Sequence, residues 1–430
     1  MHTDHHRLKP SLGFWALFVY GVGDILGAGI YALVGKIAGI AGAASWIAFL
    51  IAIAAALLTA LSYAELVNRF PHSGGASYFC QQAFQRPEPA ILVGWLVFCS
   101  GVASMATLSH AFAGYFGELL PQVSPAVLVV LFLAAVSLVN FLGIELSSLA
   151  NITCTAIETG GLLIIIAAGL FFLSGGHAPV APPAAPLQPI AWIAVLQAGA
   201  LAFYACIGFE DLVNVAEEAR EPRRDVPRAL LAALLVAGAL YLIVAAICVA
   251  VVAPERLAES PAPLLLVLQQ AAPAVPLELF AVIPLFAVAN SALLNGIMAS
   301  RLLFGMSRER LLPWWLARVH AGRRTPHVAI IVVLAVAAVL ALSGTLVYLA
   351  GTASVLLLGV FAMVHLALLA VKLREPAPES GFRIPMIIPA VGIFLSLGLM
   401  AFAPGASLIP GAVMLALGLL IVALHAVTSR

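Results

Sequence analysis

The sequence predicts an all-α integral membrane protein of about twelve transmembrane helices, and three observations carry that prediction. Hydrophobic residues make up 63% of the chain and charged residues 9%, whereas a soluble domain carries about 25% charged residues. Apolar windows of roughly 20 residues, enough helix to cross a hydrocarbon core of about 30 Å, recur from residue 12 to residue 427. Lys and Arg gather on alternate loops, as they do when one side of a membrane holds them back. The alternating pattern of a membrane barrel is absent, so helices are the only spanning option.

In chain order the windows run approximately 12–35, 43–66, 90–117, 125–142, 150–174, 192–216, 229–253, 277–305, 327–343, 345–371, 385–403 and 407–427, with the shortest gap between the ninth and tenth. With the N-terminus inside, only Lys36 and Arg256 of the 20 Lys and Arg fall in outer loops. The densest groups are Arg220, Arg223, Arg224 and Arg228 after span six, and Arg308, Arg310, Arg318, Arg323 and Arg324 after span eight. They read as topology determinants rather than a nucleic-acid surface, and place both termini in the cytoplasm of a multi-pass cell (inner) membrane protein. Residues 1–11 form a polar tail, and the apolar run behind them is too long for a signal-peptide core, so an uncleaved first span is expected.

Cys80, Cys99, Cys154, Cys206 and Cys248 sit in or beside apolar segments without CxxC spacing, which argues against a zinc site or a disulfide framework. Of ten histidines only His2, His5 and His6 cluster, in the tail, so no metal is expected. His110 and His365 lack an HExxH companion and no GxxxxGK[ST] motif appears, so an enzyme is not expected.

Two spans are costly as plain helices. Span one contains "GVGDILGAGIY", Gly21–Tyr31, with four glycines and an aspartate in its middle. Gly costs about 1 kcal/mol against Ala in a helix, and a mid-bilayer carboxylate about 2.5 to 3.5 kcal/mol. Span six contains "FYACIGFEDLVNVAEE", Phe203–Glu218, where Gly208 precedes Glu210 and Asp211. Unwound backbone in a membrane must line a cavity or lie inside protein, and paired broken helices bind substrates in many secondary transporters. Close helix approach through small residues is the rival explanation for span one. The breaks, near 28 and 207, each open a block of five helices, 12–174 and 192–371. Five is odd, so the second block is inverted relative to the first, with 385–427 as two accessory spans.

These motifs resemble the amino acid/polyamine/organocation (APC) superfamily nearly end to end. The resemblance rests on "GDILGAGIYALVG" in span one, "NRFPHSGGASYFCQQAF" after span two, "IGFEDLVNVAEEAREPRRDVPRA" in and after span six, "NGIMASRLLFGMSRERLLP" closing span eight, and "VHAGRRTPHVA" behind it. It implies a LeuT-like five-plus-five inverted-repeat fold. It implies that backbone at Gly27, Ala28, Gly29 and Ile30 receives an amino acid's carboxylate while carbonyls around Cys206, Ile207 and Gly208 take its amino group. Phe203, Tyr204 and Phe209 are candidate gates by the same resemblance, with core packing as the alternative for each.

Glu158 stands where family members often carry a lysine that takes the place of a sodium ion, so the charge here is reversed. A buried carboxylate is a candidate proton carrier, or a sodium ligand. Asp24, Glu158 and Asn290 form the expected coupling cluster, with structural hydrogen bonding as the rival. Glu210 matches the family's acid after its Gly-Phe pair, a candidate gating residue or a helix cap. Asp211, Glu217 and Glu218 are expected to pair with the arginines of the next loop, and Glu65 to be interfacial. Span three supplies no acid, which favours neutral amino acids, with Ser100 and Met105 shaping the pocket; the acids at 158 and 210 keep a cationic amino acid or polyamine open. No cofactor is expected beyond H⁺ or Na⁺ coupling; proton symport and exchange both fit, as do monomer and homodimer. A channel or receptor is the rival class, and leaves the paired breaks without a purpose.

Overall fold

The computed structural model describes residues 12–72, 75–143, 148–175, 191–308, 311–323, 325–375 and 381–428. The tail 1–11 and Arg310 and Arg324 lie outside them. Among the described residues there is no strand, only one isolated bridge between Leu12 and Ala219.

Span one folds as two helices, α1 (Phe14–Leu26) and α2 (Ala28–Ala41). Gly42, at φ 59°, turns the chain through a short 3₁₀ segment into α3 (Ser45–Arg69), which is span two. A helix absent from the twelve windows follows, α4 (Gly75–Phe84). Spans three to five are α5 (Pro87–Leu119), α6 (Pro125–Leu142) and α7 (Ser148–Ser174). Span six begins as α8 (Trp192–Ala202) and continues as two 3₁₀ segments, Phe203–Cys206 and Phe209–Glu218. Span seven is α9 (Pro222–Val251), and two further short helices, α10 (Pro254–Glu259) and α11 (Pro263–Ala271), fill the loop before α12 (Leu277–Arg308). Spans nine to twelve are α13 (His327–Ser343), α14 (Leu346–Arg374), α15 (Ile387–Phe402) and α16 (Gly405–Thr428).

The boundaries have local causes. Pro stands in the first turn of α5, α6, α9, α10 and α11, where its missing N–H costs nothing and its fixed φ suits a helix start. Gly143, at φ 71°, ends α6 in the left-handed conformation a Cβ disfavours. The narrow gap between spans nine and ten is real: Thr345 caps α14 by accepting from the Tyr348 N–H at 3.3 Å. Nine described helical runs are long and apolar enough to cross a membrane. Three shorter apolar helices, α1, α13 and α15, complete the set, because the run 29–69 joins the second half of span one to span two.

The helices pack in two main groups. α1 and α3 lie against α9, while α5 lies against α6, α12 and α13. Ala48, Ala52, Ala56 and Ala60 on α3, and Ala229, Ala233 and Ala237 on α9, are buried at four-residue spacing. Such stripes let backbones approach closely where lipid supplies no hydrophobic drive between helices. α14 spans the groups and carries α15 and α16.

Glu65, expected to be interfacial at the end of span two, is fully buried within the protein. Arg69 and Lys372 meet its carboxylate at 2.9 and 2.7 Å, and the Ile384 N–H donates to it at 2.9 Å. Two cations and an amide replace the water it would otherwise need, which ties α3, α14 and the approach to α15 together. Leu12 exchanges two backbone hydrogen bonds with Glu218 and Arg220, so the chain's start and the end of span six share one face.

Candidate functional site

The first break is one residue wide. α1 ends at Leu26, Gly27 leaves helical geometry at φ −44° and ψ −163°, and α2 starts at Ala28. The first-turn amides of α2 therefore have no carbonyl one turn back, and the last carbonyls of α1 lose their donors. Tyr241 satisfies one of these by donating from its hydroxyl to the Ile25 carbonyl. The amides at Ala28, Gly29 and Ile30 form the positive end of a helix dipole, suited to an anion.

The second break is longer. Ile207 is extended, at φ −67° and ψ 145°, and Gly208 takes φ 121°, a conformation open to glycine and strained for other residues. Of the carbonyls expected to take an amino group, that of Gly208 already accepts from Asp211 N–H at 3.0 Å. The breaks touch each other. A Cβ on Gly29 would lie 2.5 Å from Ala205 Cα, and one on Gly208 would lie 2.7 Å from the Asp24 carbonyl oxygen.

A cavity of about 860 Å³ opens at this junction, lined there by Asp24, Gly27, Gly29, Tyr204, Ile207 and Gly208. It continues past Asp211 and Glu218 to Gln81 on α4 and Arg301 on α12, towards the face that holds Leu12. The other side is closed. Tyr31 donates to the Glu158 carbonyl at 2.7 Å, Tyr115 donates to the Tyr31 carbonyl at 2.9 Å, and α10 packs on α2 with Lys36 donating to the Ala258 carbonyl.

The aromatic candidates separate. Tyr204 lines the cavity and reaches across to span three, where its hydroxyl donates to the Ser104 carbonyl at 3.5 Å. Phe203 and Phe209 are fully buried behind the wall, packed on Phe361 with ring centroids 5.8 and 5.3 Å away. Ile30 and Cys206 are likewise buried outside the lining. On span three Ser100 lines the cavity, whereas Met105 packs against Gly296.

The expected acid cluster divides in two. Asn290 lies beside the carboxylate of fully buried Glu158, yet both Glu158 oxygens and Asn290 Oδ1 lack a hydrogen bond of ordinary geometry. Neither residue lines the cavity. Asp24 instead hangs over Gly208, where a Cβ would sit 3.3 Å from its Cγ. Glu210 accepts from the Gly208 N–H at 2.9 Å. Asp211, expected to pair with a loop arginine, lines the cavity and accepts from Asn214 at 3.1 Å. The reason is 3₁₀ geometry, which eclipses residues three apart and turns both inward. Glu217 meets His72 at 3.3 Å. Among the described residues no three His, Cys, Asp or Glu side chains are grouped to hold a metal ion.

Sequence reasoning missed the contribution of α12: Ser291, Asn295, Met298 and Arg301 line the cavity. Their spacing of four, three and three residues marks one helical face, and that stripe was the available signal.

Two broken helices that meet at a cavity open to one face of an apolar bundle are an arrangement found in secondary transporters. A family model described as amino acid permease matches residues 12–424, and the chain belongs to that family. It is 28% identical to the branched-chain amino acid permease BcaP of Bacillus subtilis (strain 168), over 97% of this chain and 93% of that protein. It is 32% identical to cationic amino acid transporter 3, mitochondrial, of Arabidopsis thaliana, over 88% of this chain and 65% of that one. A third relative, the methylthioribose transporter of Bacillus subtilis (strain 168), is 26% identical over 97% of this chain and 94% of its own. These relatives are permeases and transporters, not enzymes.

Proposed function

We propose that the chain carries amino acids across the plasma membrane by alternating access, with the first-turn amides of α2 receiving the carboxylate and the carbonyls of Cys206 and Ile207 the amino group. The single observation behind this is the contact between the breaks, Gly29 on Ala205 and Gly208 on Asp24, at the head of the cavity. A zwitterion needs both donors and acceptors, and the ends of the two broken helices offer both. Each break lies in the first helix of a five-span repeat, 12–174 and 192–371, with 385–427 as accessory spans. With the N-terminus cytoplasmic, the cavity faces inward and the tyrosines and α10 close the outer path.

Glu158 and Asn290 form the coupling site in this reading. The buried Glu158 carboxylate has only the Asn290 side chain beside it, short of ordinary hydrogen-bond geometry, and a carboxylate so placed calls for a proton or a cation. Relatives named for branched-chain and for cationic amino acids both fit the class of substrate. Span three favours neutral side chains, and the carboxylates on the cavity wall favour the cationic alternative.

Purified protein in liposomes tests the class: saturable uptake of a labelled amino acid, stimulated by counterflow, is expected, and ohmic flux would overturn it. Glu158→Gln keeps the shape and removes the charge. It is expected to retain exchange while losing ion-driven accumulation by about tenfold or more, an upper range for one carboxylate's coupling. Unaltered dependence on both pH and sodium would remove Glu158 from the coupling role.

A further inference from the structure

The cavity is strongly acidic. Asp24, Glu210, Asp211 and Glu218 line it, while the basic lining groups among the described residues are Arg301 and His425. Two of the four acids are engaged locally: Glu210 holds the Gly208 N–H and Asp211 holds the Asn214 amide. Asp24 differs, because its Oδ2 is buried with no hydrogen-bond partner. Its Cγ lies over Gly208, at the point where both helix breaks meet the cavity.

We infer that the cargo is an amino acid whose side chain carries a second positive charge, and that Asp24 is the carboxylate that receives it. The inference rests on the reading of the cavity as an amino acid site. A zwitterion with a neutral side chain is self-balanced: its one ammonium goes to the backbone carbonyls and its carboxylate to the amides of α2. It brings nothing for the carboxylates of the wall, and charge held out of water without a partner is costly. An ammonium or guanidinium on the side chain supplies a charge-assisted hydrogen bond to the free Asp24 oxygen and offsets the field of its three neighbours. Span three, with no acid, supplies no counter-charge; the cavity's acids come from spans one and six.

Three probes of one length separate the readings: lysine, norleucine, which lacks the side-chain ammonium, and cadaverine, which lacks the carboxylate. Equilibrium binding to the purified full chain in lipid nanodiscs is the measurement. Wild-type protein is expected to bind lysine about tenfold or more tighter than norleucine, the size of one well-made charged contact. Norleucine binding as tightly as lysine overturns the inference without any variant. Asp24→Asn is expected to bring the ratio to within about threefold. A ratio that survives Asp24→Asn removes Asp24 from the role. Cadaverine binding far more weakly than lysine supports both readings. Cadaverine binding equally well supports the cationic inference and overturns the carboxylate seat at α2.

Discussion

The two helix breaks do one job by different local means. At the first, α-helix stops at Leu26 and resumes at Ala28, so a single glycine interrupts an otherwise regular rod. At the second, 3₁₀ backbone runs through Phe203–Cys206 and Phe209–Glu218 on either side of Ile207 and Gly208. A short interruption leaves two complete ladders and exposes only their ends, which suits fixed donors. A 3₁₀ stretch has poorer hydrogen-bond geometry throughout, and runs beyond about four residues are uncommon. The Phe209–Glu218 segment is therefore held by its surroundings, not by its own ladder. Span six, with its 3₁₀ backbone, also supplies three of the four cavity acids, Glu210, Asp211 and Glu218.

Substitutions at the contact points sharpen that contrast. Gly208→Ala combines a strained φ of 121° with a Cβ 2.7 Å from the Asp24 carbonyl. It is expected to cost about 2 to 4 kcal/mol in unfolding measurements and to abolish substrate binding. Gly29→Ala adds no φ strain but drives a methyl into Ala205, so about 1 to 3 kcal/mol and weakened binding are expected. Should Gly29→Ala prove the more damaging, the assignment of strain to the second break fails. Tyr241→Phe leaves the Ile25 carbonyl without its donor, at about 1 to 2 kcal/mol, read as a lower midpoint of thermal unfolding. Gly160→Ala is the smallest change: a Cβ there meets nothing within 4 Å, and stability is expected to hold or rise slightly.

Much of this architecture was legible before any coordinates. Windows 125–142 and 327–343 coincide with α6 and α13, because prolines, glycines and caps mark those ends in the chain itself. Both breaks were legible as well, since glycine beside an acid is costly in a lipid-spanning helix. Helix rotation was not. Asp24, Glu158 and Asn290 were grouped through the family resemblance, yet Asp24 hangs over Gly208 while Glu158 stays beside Asn290. Asp211 was expected to pair with the arginines of the next loop, whereas it lines the cavity and accepts from Asn214, three residues on along 3₁₀ backbone. The short helices α4, α10 and α11 escaped because a search for spanning windows passes over segments of six to ten residues. Glu65 escaped because its partners Lys372 and Ile384 lie some three hundred residues away in sequence.

A map of the protein in nanodiscs with lysine bound would test the central claim most directly. The amino acid is expected between the breaks, its carboxylate on the amides of Ala28 to Ile30 and its side-chain nitrogen on Asp24. Density for lysine elsewhere, or unbroken helix through both Gly27 and Ile207, would contradict the account.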